Sequence, residues 1–567
     1  MAERWTAVSV PPAAAALRAA GFASPLAELL AQRGAAGPEA ARRFLAPSRA
    51  QLSPALMIEG LAAAGERLAA VSAQRERILV VGDYDVDGVA ATAVMATTLT
   101  RLGAEVHTLL PRRDGEGYGL QPPHVRHAAA AGAGLLVAVD SGTTAYAAWE
   151  EARRLGIELV IVDHHLAADA PTEEGSGPAP LLVNPRSGAA PAAARELTAA
   201  GLTARLAAVL FEGAGRDVPW DSLLRMACLG TIADVAPLVD DNRILAAAGL
   251  AALPATPSPG LQALMRAAAV RPPLAAADVA FRLAPRLNAA GRLGAADEAL
   301  EILLTRDERR AAELAAHLER RNGERQAIEA RILGDARRAL ERRAELPPVV
   351  VLSSPEWHAG VVGVAAARLA RELNRPTLLL AERDGLATGS GRSVAGLALH
   401  QLVAPFAARL ERFGGHAQAV GLTIRLDHLP EVRADLEAAA AAWSERLAVR
   451  EVSYDLELPL AAVTQELVAA LAALGPFGAG NPEPVFRFGP CVLRDDPRRF
   501  GNGHVRLELG DAGGRGEGRR AIWWRGGDGA ERLRERRLEL LAAVETDRFD
   551  GVRLRLLAVR GVDPASD

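Results

Sequence analysis

Three short apolar runs, rich in Val and Ile, each lead into an aspartate. RILVV (Arg77–Val81) leads into Asp83-Tyr84-Asp85-Val86-Asp87-Gly88, GLLVAVD closes on Asp140, and ELVIVD closes on Asp163-His164-His165. Runs this short and this apolar suit strands covered on both faces. Helical spacing fills the gaps at residues 89–102 and 146–155, and AEVHTLL supplies a further strand. Strands that alternate with helices imply a parallel sheet clothed by those helices. Such a sheet points all its carboxyl ends at one edge, where open α/β sheets bind ligands. Asp or His from three strands is thereby delivered to a single edge.

The rest of the 567 residues divides by texture. At roughly 100–200 residues per domain the chain should hold three or four units. Residues 1–58 read as short helical pieces broken by Pro, a packing appendage, and residues 59–265 as the first α/β domain. Residues 266–346 form a helical connector, in which 306–345 lack Pro and interleave Glu with Arg. That pattern fits one or two long helices whose default role is a solvated strut. A second α/β domain spans 347–450, opening on Pro347-Pro348 and VVVLSS. In 451–567, VRLEL and VRLRLLAV alternate apolar with charged residues between Gly-rich turns, an antiparallel texture consistent with a small barrel. No internal repeat is visible.

Composition narrows the chemistry. None of the 65 basic residues is lysine, which excludes a P-loop lysine and a Schiff-base mechanism. Formal net charge is −4, so a nucleic acid would have to be met by local arginine clusters. Two cysteines, Cys228 and Cys491, make neither a disulfide framework nor a zinc cluster and suit a reducing compartment. No run approaches the ~18 apolar residues of a membrane span, and no signal peptide opens the chain; we expect a cytoplasmic protein with no membrane partner.

Carboxylates at alternate positions, Asp83, Asp85 and Asp87, repel one another unless cations compensate them. A calcium EF-hand loop also begins D-x-D-x-D-G. Its twelfth position needs a bidentate Glu and here is Val94, and it follows a helix rather than a strand. One strand-end Asp is by default a turn or helix cap, but three such ends, one with a tandem His pair, are poorly explained that way. Asp234, in CLGTIADVAPL, closes an apolar helical run and is a fourth candidate. Hard oxygen donors with one or two imidazoles and no thiolate suit Mn²⁺ or Mg²⁺ better than zinc. About six ligands suffice for two ions about 3.5–4 Å apart, an arrangement that clamps attacking and leaving oxygens in phosphoester hydrolysis by water.

DYDVDG, VDSG, VDHH and GTIADVAPL, in that order, resemble the motifs of the DHH phosphoesterase superfamily. PRRDGEGYGL, APRLNAAGRL, RRNGERQAIE, WHAGVVGVAAARL, GSGRS, FGGHAQAVG and PFGAGNPEPVF resemble segments of the RecJ-type single-strand-specific DNA exonucleases. The resemblance implies an α/β architecture: a parallel-sheet DHH domain joined by a long helix to a second α/β DHHA1 domain, then a C-terminal OB-fold β-barrel. It implies that Asp85 and Asp87 bind metal with Asp83 as companion, that Asp140 bridges two divalent ions, Mn²⁺ or Mg²⁺, and that His164 and Asp234 complete the ligands. Asp163 and His165 would support the ligands or face the phosphate. A ligating imidazole wants a partner on its other nitrogen, so a supporting acid is expected nearby.

By the same resemblance Ser390, Arg392 and Arg113 would hold a 5′-terminal phosphate, with Gly415 and His416 beside the substrate. Arg286, Asn288 and Arg292 of RLNAAGR would serve backbone phosphates. Taken alone, GSGRS is a Gly-rich turn, RLNAAGR a helix end, and His358 and His416 structural histidines. Trp523 and Trp524 point to opposite faces of a strand, so at most one stacks on a base, and Arg515, Arg519 and Arg520 form a candidate backbone-tracking patch. AIWWRGG departs from the smaller pattern expected of a RecJ barrel, and no further C-terminal domain is expected. The implied activity is 5′-to-3′ exonuclease action on single-stranded DNA, releasing 5′-mononucleotides. The implied setting is DNA repair and recombination beside a helicase and a single-strand-binding protein, with a monomer as the default state. Two alternatives stay open: a DHH phosphodiesterase for short oligonucleotides or cyclic dinucleotides, and a non-catalytic strand-binding scaffold.

Overall fold

The computed structural model describes residues 2–111, 119–166, 179–513, 518–530, 533, 537–547 and 551–562. The chain forms two units, one of residues 1–2, 53–236 and 248–450, the other of residues 3–52, 237–247 and 451–567.

In the first unit the apolar runs become a five-stranded sheet, ordered Glu105–Leu109, Arg77–Val81, Leu135–Val139, Glu158–Val162, Leu181–Val183, with every pair parallel. The chain steps outward from the first strand to the second, then returns past the first to the third. Between the first and third strands lies the point where the winding reverses, and a crevice opens there at the carboxyl ends. Asp83, Asp85 and Asp87 follow the first strand and Asp140 follows the third, so the order brings these acids together. Three helices, Val86–Leu102, Ala199–Gly213 and Trp220–Ala233, pack on one another beside this edge. Their small side chains permit close approach. At Gly230 a Cβ would lie 2.2 Å from Asp87 Oδ1 and 2.5 Å from Ala200 Cβ.

The connector contains one helix of 34 residues, Glu308–Glu341, about 50 Å long at 1.5 Å per residue. It is more than a solvated strut. One stripe is buried, including Leu314, Leu318 and Ile332, and it also holds Asn322, Arg325 and Glu329. Arg325 donates to Glu329 at 2.7 Å and to Asn322 at 3.0 Å, which pairs these polar groups inside the packed face, although Arg325 Nε is buried without a partner. Beyond it a mixed sheet runs Arg412–His416, Ala419–Arg425, Leu386–Arg392, Thr377–Arg383, Val350–Ser354, with only the last two strands parallel.

In the second unit five strands close on themselves: Phe486–Leu493 pairs with both Arg537–Asp547 and His504–Asp511, and Gly551–Val562 and Arg519–Trp523 complete the circuit. The expected antiparallel texture has an exception, since Arg519–Trp523 and Gly551–Val562 run parallel. The N-terminal residues also differ from a purely helical appendage. Ala2–Ala7 is a strand paired with Val449–Tyr454, and Leu17, Leu29 and Leu30 share one core with Phe486 and Phe488 of the barrel. Residues 237–247, inside the range read as the first α/β domain, belong to this unit too: Leu238 N–H donates to Ala479 O at 2.7 Å. A small barrel has little interior of its own, and borrowed helices enlarge its core. Among the described residues no single helix is long and apolar enough to cross a membrane.

Candidate metal centre and phosphate pocket

Asp85 caps the Val86–Leu102 helix, its Oδ1 accepting from Asp87 N at 3.0 Å and Gly88 N at 3.1 Å. That cap turns Asp87 inward, where it is 1% exposed and accepts from Ala199 N at 2.8 Å and Ala200 N at 3.1 Å. Both amides open the Ala199–Gly213 helix, whose positive end faces the carboxylate. Asp140 leaves its strand with φ +61°, a left-handed backbone that is uncommon outside Gly, Asn and Asp and clusters at functional sites. Asp234 is the C-cap of the Trp220–Ala233 helix.

These elements converge on His164. Its Nε2 lies 3.2 Å from Asp140 Oδ1, 3.7 Å from Asp87 Oδ2 and 3.9 Å from Asp234 Oδ2. Three overlapping groups have ligand atoms within 4.8 Å of one another: Asp83, Asp85, Asp140; Asp140, His164, His165; and Asp87, His164, Asp234. Asp140 and His164 each belong to two groups. The electrostatics are those of a cation site. Burial, then the charge of Asp85, raises Asp87 to about 7; burial, then Asp87 and Asp85, raises Asp234 to about 8. Asp140 is pushed well above the carboxylate range by burial and by Asp85, Asp87 and Asp83. Burial lowers His164 to about 3, leaving a neutral imidazole. Asp140 Oδ1 is buried without a hydrogen-bond partner, a costly vacancy for an acceptor unless a cation meets it. Oxygen donors with neutral imidazole and no thiolate fit Mn²⁺ or Mg²⁺.

The expected supporting acid exists but serves the other histidine. Asp163 accepts from Thr143 N, His164 N and His165 N, and lies 2.7 Å from His165 Nδ1. Burial alone would raise Asp163; the bonds to His165 and Thr143 outweigh it and hold the carboxyl below its usual range. Asn184, which the sequence reading missed, braces the same loop by donating to Thr143 Oγ1 and His165 O, both at 2.9 Å. It follows the fifth strand of the sheet, and that strand-end position was the available signal.

All three candidate side chains of RLNAAGR have a partner inside the protein. Asn288 Oδ1 accepts from Val86 N at 3.2 Å, Arg286 is paired with Glu319, and Arg292 reaches Gly360 O at 3.2 Å. The Ala284–Arg292 helix therefore spans from the metal loop to the first turn of the Ala359–Leu373 helix, which His358 caps through Gly360 N. Gly291 makes that approach possible, since a Cβ there would sit 2.4 Å from Tyr84 O. One turn further on, Gly363 faces Ser390 and Arg392, which share one face of their strand. His416 lies in the same row of that sheet, through Ala419, and burial and then the Arg392 charge lower its pKa. Gly415 beside it has φ +134° and no room for a Cβ, which would meet Ala419 O at 2.3 Å. Arg113 and Arg515 lie outside the described residues.

On the barrel, Trp523 packs partly buried against the core, while Trp524, just past the strand end, is 45% exposed. Trp524 meets His504 and Phe500 edge-on, and Arg506 stands over Phe500 and opposite Arg498 across the strands. Phe500, His504, Arg498 and Arg506 were missed in the sequence; RRF was the signal. Arg520 leans toward Glu508 at 3.9 Å and Arg519 donates to Gly518 O, so the expected patch partly satisfies itself.

A sheet edge built in this way, with five carboxylates and two imidazoles, defines a metal-dependent phosphoesterase of the DHH class. Family models agree along the chain: "DHH family, N-terminal domain" matches residues 77–231, "DHHA1 domain" residues 346–442 and "RecJ OB domain" residues 454–559. The chain is 36% identical over 534 residues to the single-stranded-DNA-specific exonuclease RecJ of Thermus thermophilus, covering 93% of this chain and 74% of that protein. It is 34% identical over 497 residues to RecJ of Bacillus subtilis, spanning 85% of this chain and 61% of that one. The crystal structure of Thermus thermophilus RecJ in complex with Mn²⁺ superposes with a TM-score of 0.84 at 32% identity, covering 99% of this chain and 80% of that one. The corresponding Mg²⁺ complex gives 0.78 at 31% identity, covering 99% and 79%. The chain belongs to the RecJ family of single-stranded-DNA-specific exonucleases.

Proposed function

We propose that this chain is a single-stranded-DNA exonuclease that removes 5′-mononucleotides from the 5′ end by metal-assisted hydrolysis. The carrying observation is the bridge from Asn288 to Arg292, which ties the acidic cluster to the helix backing Ser390 and Arg392. Asp83, Asp85, Asp87, Asp140, His164 and Asp234 would hold two divalent ions, with Asp140 shared because it belongs to two ligand groups. Mn²⁺ or Mg²⁺ there supplies Lewis-acid neutralisation of the phosphoryl oxygens and acidifies water. The chain's own residues do the rest. Asp87 is locked by two helix amides, His164 stays neutral, and His165, held by Asp163, carries a proton toward the reacting phosphate. On the second domain Arg392 and Ser390, with Arg113 and with Gly415 and His416 alongside, would grip a terminal phosphate, which makes a chain end the substrate. Arg292 would face the strand backbone, whereas Arg286 and Asn288 position the helix that carries it.

We assign its partners as single-stranded DNA, a helicase that generates it and a single-strand-binding protein that coats it. Two free, buried cysteines suit the reducing cytoplasm. The test is a single strand labelled at its 3′ end, with and without a 5′-phosphate, incubated with Mn²⁺. Ladders should shorten stepwise from the 5′ end while blunt duplex survives. Arg392→Ala should lower kcat/KM on the phosphorylated strand by about 10–100-fold, the worth of one charge-assisted contact, and erase the preference for phosphate. Cleavage of cyclic or dinucleotide substrates alone would move the chain to another DHH activity, and strand binding without hydrolysis would make it a scaffold.

A further inference from the structure

Away from the metal centre, the first unit holds a cavity of about 480 Å³. Its walls are the C-terminal half of Val86–Leu102, the first turns of Trp220–Ala233, the start of Pro259–Ala267 and the end of Ala296–Leu304. Along Val86–Leu102, Arg101 in the wall stands about 20 Å from Asp87, at 1.5 Å per residue. The lining combines apolar side chains, Phe211 and Met226 among them, with several hydroxyls and three arginines, Arg101, Arg225 and Arg306. Among the described residues no carboxylate lines it.

The charge is poorly neutralised. Arg225 is 6% exposed, and its Nε donates to Ala252 O at 2.8 Å. Its ion-pair partner is Asp221 at 3.8 Å, a side chain 80% exposed and therefore screened by water. Arg101 and Arg306 are exposed and have no ion-pair partner among the described residues. The Ser258-capped end of Pro259–Ala267 adds the positive end of a nine-residue helix to the same wall. A buried, under-paired guanidinium opening into a cavity costs free energy that an anion would recover. Bare phosphate would leave the apolar wall unused, and the volume lies in the range of small-molecule sites.

We propose that this cavity binds a nucleoside monophosphate, its phosphate on Arg101, Arg225 and Arg306 and its base against Phe211 and Met226. Two of its walls, Val86–Leu102 and Trp220–Ala233, carry Asp87 and Asp234 at their far ends, so the ligand touches the same helices that position the metal site. The site stands independently of the nuclease reading, because it uses none of the residues assigned there.

The test is calorimetric titration of the full-length chain in EDTA with 5′-dAMP, deoxyadenosine and inorganic phosphate. Removing metal and using an Arg392→Ala background silences the proposed catalytic pocket. Arg392→Ala should still bind dAMP at one site, whatever wild type binds in addition through Arg392, and should bind deoxyadenosine and phosphate each at least tenfold more weakly than dAMP. Adding Arg101→Glu and Arg306→Glu, both at exposed positions, should weaken dAMP at least tenfold with the thermal midpoint unchanged. Loss of dAMP binding in Arg392→Ala alone, equal binding by the double charge reversal, or no binding at millimolar dAMP would each overturn the proposal. Phosphate binding as tightly as dAMP would overturn the nucleoside part of it.

Discussion

The metal centre and the outer face of the barrel sit at opposite ends of one physical scale. At the centre, Asp83, Asp87, Asp140, Asp163 and His164 are all buried, and Asp87 and Asp163 are fixed by backbone amides. On the barrel, Trp524 is 45% exposed among half-exposed Phe500 and His504, with exposed Arg498 and Arg506 opposite each other beside them. Buried like charges are expensive, so a cluster of them is held against its own repulsion and rewards one specific cation. Exposed rings and arginines cost little, and they reward any strand that passes. The difference is between a site that must be preorganised and one that need only be available.

Asp140→Ala puts the comparison under the greatest strain. If Asp140 is the shared ligand proposed above, its removal should cut hydrolysis by at least about 10³-fold, roughly 4 kcal/mol of transition-state stabilisation. Asp140→Asn, which tolerates the same left-handed backbone, should nonetheless melt higher than wild type when both are metal-free, because repulsion is relieved. A variant that loses activity while melting lower would mean that the carboxylate is structural.

The second expectation concerns pH. Asp87 at about 7 and Asp234 at about 8 are raised above their unfolded values. Stability from such raised groups is fully present below the unfolded carboxylate pKa and is lost as pH rises through the folded one. Metal-free protein should therefore melt at progressively lower temperature from about pH 4 to about pH 8 and level off above that. Mn²⁺ must displace the retained protons, so its apparent affinity, and the rise in Tm it produces, should grow across that window. Proton release on titration with Mn²⁺ in weak buffer measures this directly; a pH-independent Tm shift would contradict it.

The smallest effect belongs to the barrel. Trp524→Ala should weaken binding of a long single strand by about 1 kcal/mol, somewhat under tenfold, without changing Tm. Trp523→Ala should do the reverse, costing ~2 kcal/mol of stability through lost core packing with little effect on strand affinity of the folded protein. Exchange of those two outcomes would reverse the assignment of faces.

Much of the centre was legible in the sequence because its chemistry resides in residue types at strand ends. Asp85, Asp87, Asp140, His164 and Asp234, which the structure brings together, could be picked out before any coordinates, partly from acids and a tandem His pair at strand ends and partly from the resemblance to the DHH motifs. Asn288 and Arg286 were not legible as internal braces. An Asn or Arg beside glycines looks the same whether it meets a phosphate, the Val86 amide or Glu319. The pairing of Asp163 with His165 rather than His164 was equally hidden, because adjacent histidines diverge only once the turn is folded. The buried Asn322–Arg325–Glu329 set sat inside a charge pattern that reads as solvated.

Local pattern alone determined the main apolar strands, the acids at their ends, the absence of lysine chemistry and the helical character of the connector, because each depends on neighbours along the chain. Tertiary structure decided the rest. It set the strand order that joins Asp83–Asp87 to Asp140, the helix amides that lock Asp87, and the core that recruits residues 3–52 and 237–247 to the barrel. Those features depend on which surfaces are left to be buried once the elements exist, and that is a property of the whole packed chain rather than of any segment.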